Sequence, residues 1–286
     1  MAVTEQELTT PWEALLVGPA GGGAGTGALV LGGSSGRVNR VRARLLAEQG
    51  VLALAVRWFG GPGQVPGVCE VPLETFVAAV DLLKSHGVER IVVLGTSKGA
   101  EAAMLTAVHD PRVDAVVAFS PTPVVWCNAG PGLDGRNRPL RSSWTWRGAP
   151  LPFVPIDEEW RPTEPEGTPV AILGWYELSE RTFADRLPAA AIPVERTRAE
   201  LLLIAGAADA MWPSLRYAGQ LAARRRESGL PATVISHPEA GHGTLLPGEP
   251  APAPSTVYAY GGTPATDAAL GRAAWPEILK LLAPST

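Results

Sequence analysis

The feature that most constrains this chain is a regular alternation of short apolar runs with stretches of helical period. The runs lie at 13–17 (EALLV), 28–32 (ALVLG), 51–58 (VLALAVRW), 91–95 (IVVLG), 113–119 (VDAVVAF), 201–206 (LLLIAG) and 232–237 (ATVISH), most bounded by glycine or a turn residue. They read as strands. Several are near-continuous aliphatic runs, which suits parallel strands covered on both faces, where strict alternation would leave half the side chains wet. Between them the spacing predicts helices over 38–49, 73–85, 98–108, 213–227 and 265–282. Strand and helix in turn imply right-handed crossovers and an α/β fold, a mostly parallel, doubly wound sheet whose ligand crevice lies at the carboxyl ends of the strands. With 286 residues and 46% hydrophobic content, a single domain spanning 1–286 can bury such a core.

From 121 to 192 the alternation stops. Prolines are frequent there, charged residues fall in irregular order, and five tryptophans (Trp126, Trp144, Trp146, Trp160, Trp175) need burial somewhere. This region is expected to be a lid-like insertion over the strand ends. A net charge of −4 leaves no basic surplus for phosphate backbones, so no nucleic-acid partner is expected and a small-molecule substrate is favoured. The two cysteines, Cys69 and Cys127, have no metal-ligand or disulfide-framework spacing and read as buried thiols. No apolar run approaches the roughly 20 residues that span a bilayer. The first ten residues carry two glutamates and no basic segment leading into an apolar run, unlike a signal peptide. The expected location is cytoplasmic.

The chemistry centres on Gly95-Thr96-Ser97-Lys98-Gly99, a G-x-S-x-G motif with a predicted strand before it and a predicted helix after it. In such a nucleophile elbow the serine sits on a sharp turn, and the flanking glycines remove side chains that would collide. The helix that starts there aims free N–H groups and its dipole at developing negative charge. A serine hydroxyl needs a base. Of four histidines, His86 and His109 end helices and His237 ends a strand; His242, in a glycine-flanked loop after the last strand, is the candidate base, with His237 as fallback. Asp209, in the loop after the strand at 201–206, is the candidate acid that orients the imidazole, against the plainer reading of a helix cap; Glu239 is the other acid near His242. The order Ser, Asp, His is that of α/β-hydrolases. The oxyanion is expected to meet the backbone N–H of Lys98 and one from the loop Gly32-Gly33-Ser34-Ser35-Gly36, Ser34 being favoured and Ser35 the alternative. Nothing in the sequence implies a metal or redox cofactor.

These residues resemble the C-terminal catalytic domain of the acyl-CoA thioester hydrolase and bile-acid-CoA:amino acid N-acyltransferase family, a relative of dienelactone hydrolases. The likeness is carried by LVLGGSSG, ALAVRWFGGPG, LGTSKGAEAAMLTA, DPRVDAVVAFSP, SSWTWRGAPLPFVP, LLLIAGAADAMWPS and GHGTLLP, in family order along nearly the whole chain. The resemblance implies an α/β-hydrolase fold and a Ser97, Asp209, His242 triad. It also implies an acyl thioester as substrate, and hydrolysis rather than transfer, because thioesterases of the family carry serine where the amino-acid transferases carry cysteine. An ester or lactone hydrolase of dienelactone type, an acyltransferase, and an inactive receptor are the alternatives. Animal members have a further N-terminal β-sandwich domain, whereas only about 25 residues precede the strand at 28–32 here, so coenzyme A contacts made by that domain are not assumed.

Overall fold

The computed structural model describes residues 1–284. Each predicted apolar run forms a strand of one sheet: β2 (Ala14–Pro19), β3 (Thr26–Leu31), β4 (Leu52–Val56), β5 (Arg90–Thr96), β6 (Ala115–Phe119), β7 (Glu200–Gly206) and β8 (Thr233–His237). An eighth strand, β1 (Val3–Leu8), joins the edge. The order across the sheet is β1-β2-β4-β3-β5-β6-β7-β8. From β4 to β8 neighbours run parallel, while β2 is antiparallel to both β1 and β4. The α/β architecture is therefore as expected.

Strand residues point alternately into two cores. Leu29 and Leu31 pack with Phe76, Met104 and Leu221, whereas Ala28 and Val30 pack with Leu46, Leu270 and Ile278. These partners come from α2 (Glu74–Ser85), α3 (Lys98–His109) and α5 (Ser214–Glu227) on one face, and from α1 (Arg40–Ala47) and α6 (Pro264–Leu282) on the other. Burial on both faces explains the unbroken aliphatic runs in the sequence. Among the described residues, no helix is long and apolar enough to cross a membrane. Cys69 and Cys127 are both free and buried, as expected.

Register brings the working ends together. Leu31 lies opposite Gly95, and Thr96 opposite Phe119, so the segments that follow β3, β5 and β6 emerge side by side. The insertion after β6 departs from the expected irregular chain. It contains α4 (Leu173–Thr182), and Trp144–Trp146 builds a small three-stranded sheet with Val71–Pro72 and Ala149–Pro150. Only Ser179 of α4 is fully buried, so no apolar stripe marks this helix in the sequence.

One buried charge fixes the chain entering β7. Arg225, near the end of α5 and 1% exposed, donates Nε to Pro231 O (3.0 Å), Nη1 to Val194 O (3.0 Å) and Thr197 O (2.9 Å), and Nη2 to Ala199 O (3.0 Å). Methionine fills similar space but strands four carbonyls. Arg225→Met is expected to lower unfolding free energy by about 3–5 kcal/mol, read from urea denaturation. An unchanged midpoint would mean these carbonyls find other donors.

Candidate active site

Ser97 stands at the turn from β5 into α3 with φ 57° and ψ −120°, a conformation a side chain rarely adopts. Two backbone hydrogen bonds hold it. Ser97 N donates to Phe119 O at 2.9 Å, and Ala100 N donates to Ser97 O at 2.8 Å. A Cβ at Gly95 would overlap the carbonyl of Gly99, and one at Gly99 would overlap the carbonyls of Gly32 and Leu31. The two glycines are therefore needed for close approach of backbones at the elbow.

His242 lies in the loop between β8 and α6 and is 6% exposed. Its Nδ1 is 2.8 Å from Asp209 Oδ2. A carboxylate only accepts, so Nδ1 bears a hydrogen, and in the neutral ring Nε2 is the nitrogen that keeps its lone pair. The loop is fixed at its backbone: His242 N donates to Tyr260 O (2.8 Å), and Ser120 Oγ donates to His242 O (2.8 Å). The ring stands edge-on to Trp212 at 5.3 Å between centroids and lies parallel to Tyr260 at 6.0 Å. Asp267 Oδ1 accepts from Gly241 N (2.8 Å), and burial raises the Asp267 carboxyl above its ordinary range.

Asp209 does more than face the histidine. Its Oδ1 accepts from Met211 N (2.8 Å) and Trp212 N (3.3 Å), and Oδ2 also accepts from Ser214 Oγ. The residue capping α5 is Pro213, with no side-chain bond, so the cap reading survives only as an organising role in the loop before that helix.

Ser97, Ser34 and Lys98 line one cleft of about 350 Å³, walled by Trp126, Tyr176, Met211, Trp212 and Tyr258. Ser35 is not on it. A larger cavity of about 680 Å³ lies between α4 and α5, lined by Glu180, Arg181 and Arg216, but none of the candidate residues reaches it. Among the described residues, no hydrogen bond joins Ser97 Oγ to the His242 ring, a contact that commonly tightens only around a bound reactant. The other histidines are elsewhere: His86 caps α2, His109 stacks on Trp146 at 4.4 Å, and His237 Nδ1 accepts from Glu239 N at 3.2 Å. Glu239 is exposed.

Two buried ion pairs flank the elbow, and neither figured in the sequence reading. Lys98 Nζ lies 2.9 Å from Glu101 Oε1 and donates to Ser143 Oγ (2.9 Å) and Trp126 O (3.4 Å). Glu101 Oε2 accepts from Trp144 Nε1 (2.9 Å) and Trp126 N (3.4 Å). Complete burial pushes the Glu101 carboxyl up, with the Lys98 ammonium pulling the other way. The residue after the elbow serine thus ties the insertion down through its side chain. A signal existed: Lys98 and Glu101 are the only charges between 91 and 108, three apart in a helix too apolar to be exposed. The second pair, Arg42 with Glu249 at 2.7 Å, lies on the histidine side.

Residues 71–285 match the family described as BAAT / Acyl-CoA thioester hydrolase C terminal. Bile acid-CoA:amino acid N-acyltransferase of Mus musculus is 26% identical over 274 residues, covering 92% of this chain and 61% of that protein. The mitochondrial acyl-coenzyme A thioesterase 2 of Mus musculus is 24% identical over 220 residues, covering 76% of this chain and 44% of that protein. The chain thus spans less than two thirds of the length of these relatives. Among solved structures, one assigned as a dienelactone hydrolase from Klebsiella pneumoniae superposes with TM-score 0.57 at 17% identity, covering 99% of both chains. A hormone-sensitive lipase from a metagenome library gives TM-score 0.51 at 19% identity, covering 98% of this chain and 84% of that one. At such identities the likeness concerns the fold, which is that of α/β-hydrolases.

Proposed function

We propose, from the premise that the chain belongs to the BAAT / Acyl-CoA thioester hydrolase C terminal family, that it is a serine acyl hydrolase acting on an acyl thioester. Ser97 Oγ attacks the thioester carbonyl while His242 Nε2 takes its proton. Asp209 holds the ring and stabilises the imidazolium. The oxyanion of the tetrahedral intermediate receives the backbone N–H groups of Lys98 and Ser34. Collapse releases the thiol, protonated by His242, and leaves an acyl ester on Ser97. Water, activated by the same histidine, then attacks that ester and frees the acid.

The observation that carries this reading is the 2.8 Å contact of His242 Nδ1 with Asp209 Oδ2, in a fold whose elbow presents Ser97 at positive φ. The thioesterase among the relatives supports the thioester substrate. The aromatic walls of the cleft suit an apolar acyl group, and its volume of about 350 Å³ is within the range of small-molecule sites.

The test is covalent. A serine-directed fluorophosphonate is expected to label wild type once, with the adduct on Ser97 by peptide mass spectrometry. A His242→Ala variant given an acyl-CoA thioester is expected to retain little turnover. Wild type that never labels and never hydrolyses thioesters would instead favour a receptor built on a hydrolase fold. Transfer to an amine is the second reading, favoured by the similarity to an N-acyltransferase. Partition of product between free acid and amide in the presence of added amino acid separates the two, and free acid is expected to dominate.

A further inference from the structure

The guanidinium of Arg42, on α1, is buried at a junction of three segments that serve the candidate site. Nη1 donates to Thr96 Oγ1 at 3.2 Å, one residue before Ser97. Nη2 donates to Thr244 O at 3.1 Å, two residues after His242. Its Cζ lies 4.4 Å from the ring centroid of Phe119, whose carbonyl holds Ser97 N. Glu249 completes the set: Nε meets Oε1 at 2.7 Å and Nη2 meets Oε2 at 2.8 Å, and Oε2 also accepts from Leu246 N at 2.8 Å. Both side chains are less than 10% exposed, at 7% and 6%.

Stability is a weak reason for such a pair. Removing two charges from water costs about what their attraction returns, and a well-packed apolar pair in their place is often as stable or more so. Geometry is a better reason. A planar fork with five donors can address several acceptors in fixed directions, which an apolar pair cannot. The serine and the histidine sit on chain segments far apart in sequence, and the hydrogen bond between them is unmade in this structure, so the spacing of the two segments decides how readily it forms.

We infer that Arg42, held by Glu249, is a positioning residue that sets the loop of His242 against the elbow of Ser97. This rests on the reading of Ser97 and His242 as nucleophile and base. A displacement of about 1 Å between reacting groups can cost on the order of 100-fold in rate, so the effect falls on the chemical step and spares substrate binding.

The experiment compares wild type with Arg42→Lys, Glu249→Gln, Arg42→Met and the double variant Arg42→Met with Glu249→Leu. Three quantities are read on the same preparations: the thermal midpoint, the second-order rate of labelling by a fluorophosphonate, and kcat and KM for an acyl-CoA thioester. Expected is a fall of about 10- to 100-fold in labelling rate and kcat in every variant, with KM within about twofold. The apolar double variant is expected to recover the thermal midpoint while staying slow. If Arg42→Met does not fold, Glu249→Gln and Arg42→Lys carry the same comparison. Wild-type labelling rates in the double variant, or losses that track the thermal midpoint alone, would overturn the inference and leave Ser97 untouched. Absence of labelling in wild type would remove the reading of Ser97, and the role of Arg42 with it.

Discussion

Ser97→Ala is expected to lower turnover of an acyl thioester by about 10⁴- to 10⁶-fold, the range seen when the nucleophile of a serine triad is removed. The fold should not follow. Alanine keeps a Cβ, so the strain at φ 57° is already present in the wild type, and Ser97 N still reaches Phe119 O. The hydroxyl makes no hydrogen bond to the His242 ring, so its loss leaves that buried partner as it was. Turnover measured beside the thermal midpoint gives the answer. A variant that folds, binds substrate and is nearly inert fits a nucleophile, whereas near-normal turnover would remove Ser97 from the reaction.

Asp209→Asn should cost about 10⁴-fold in turnover, and the geometry says how. The amide oxygen can replace Oδ1 and go on accepting from Met211 N and Trp212 N. The amide NH₂ then faces His242 Nδ1, which has to accept, so the ring proton moves to Nε2 and the base is lost. The loop keeps most of its bonds, so stability should fall by only about 1–2 kcal/mol, the size of a weakened charge-assisted hydrogen bond. Measuring both quantities on one variant separates orientation of the histidine from organisation of the loop. Retained turnover would redirect attention to Asp267, whose Oδ1 already holds Gly241 N at 2.8 Å, and away from the exposed Glu239.

The parallel strands were legible because burial on both faces writes unbroken aliphatic runs, and the elbow because glycine is demanded on both sides of it. The edge strand β1 was not. Its sequence VTEQEL is polar and mostly exposed, and Glu5 pairs with Arg44 at 2.6 Å, the charged dressing that keeps an edge from pairing further. Helix α4 was missed for a related reason, since it rests on the fold without a buried stripe. Asp209 and His242, 33 residues apart, could be paired because each follows a predicted strand and the order Ser, Asp, His is that of α/β-hydrolases. Arg42 and Glu249 are 207 residues apart, and nothing local to either announces the other. Lys98 was noticed for its backbone alone, although a charge in so apolar a helix has to find a partner.

The anchor that Lys98 and Glu101 provide for the insertion also bears on loop grafting. Exchanging the segment at 121–192 for its counterpart from another hydrolase would withdraw Ser143 Oγ, Trp126 O and the Trp144 indole together. The ammonium and the carboxylate would then keep each other but lose the hydrogen bonds that complete them, at a cost of several kcal/mol one residue from Ser97. The segment at 121–192 is therefore not a detachable module, and changes to it are expected to be tolerated at its tips and walls, one side chain at a time, while the tryptophans and the serine that meet Lys98 and Glu101 stay where they are.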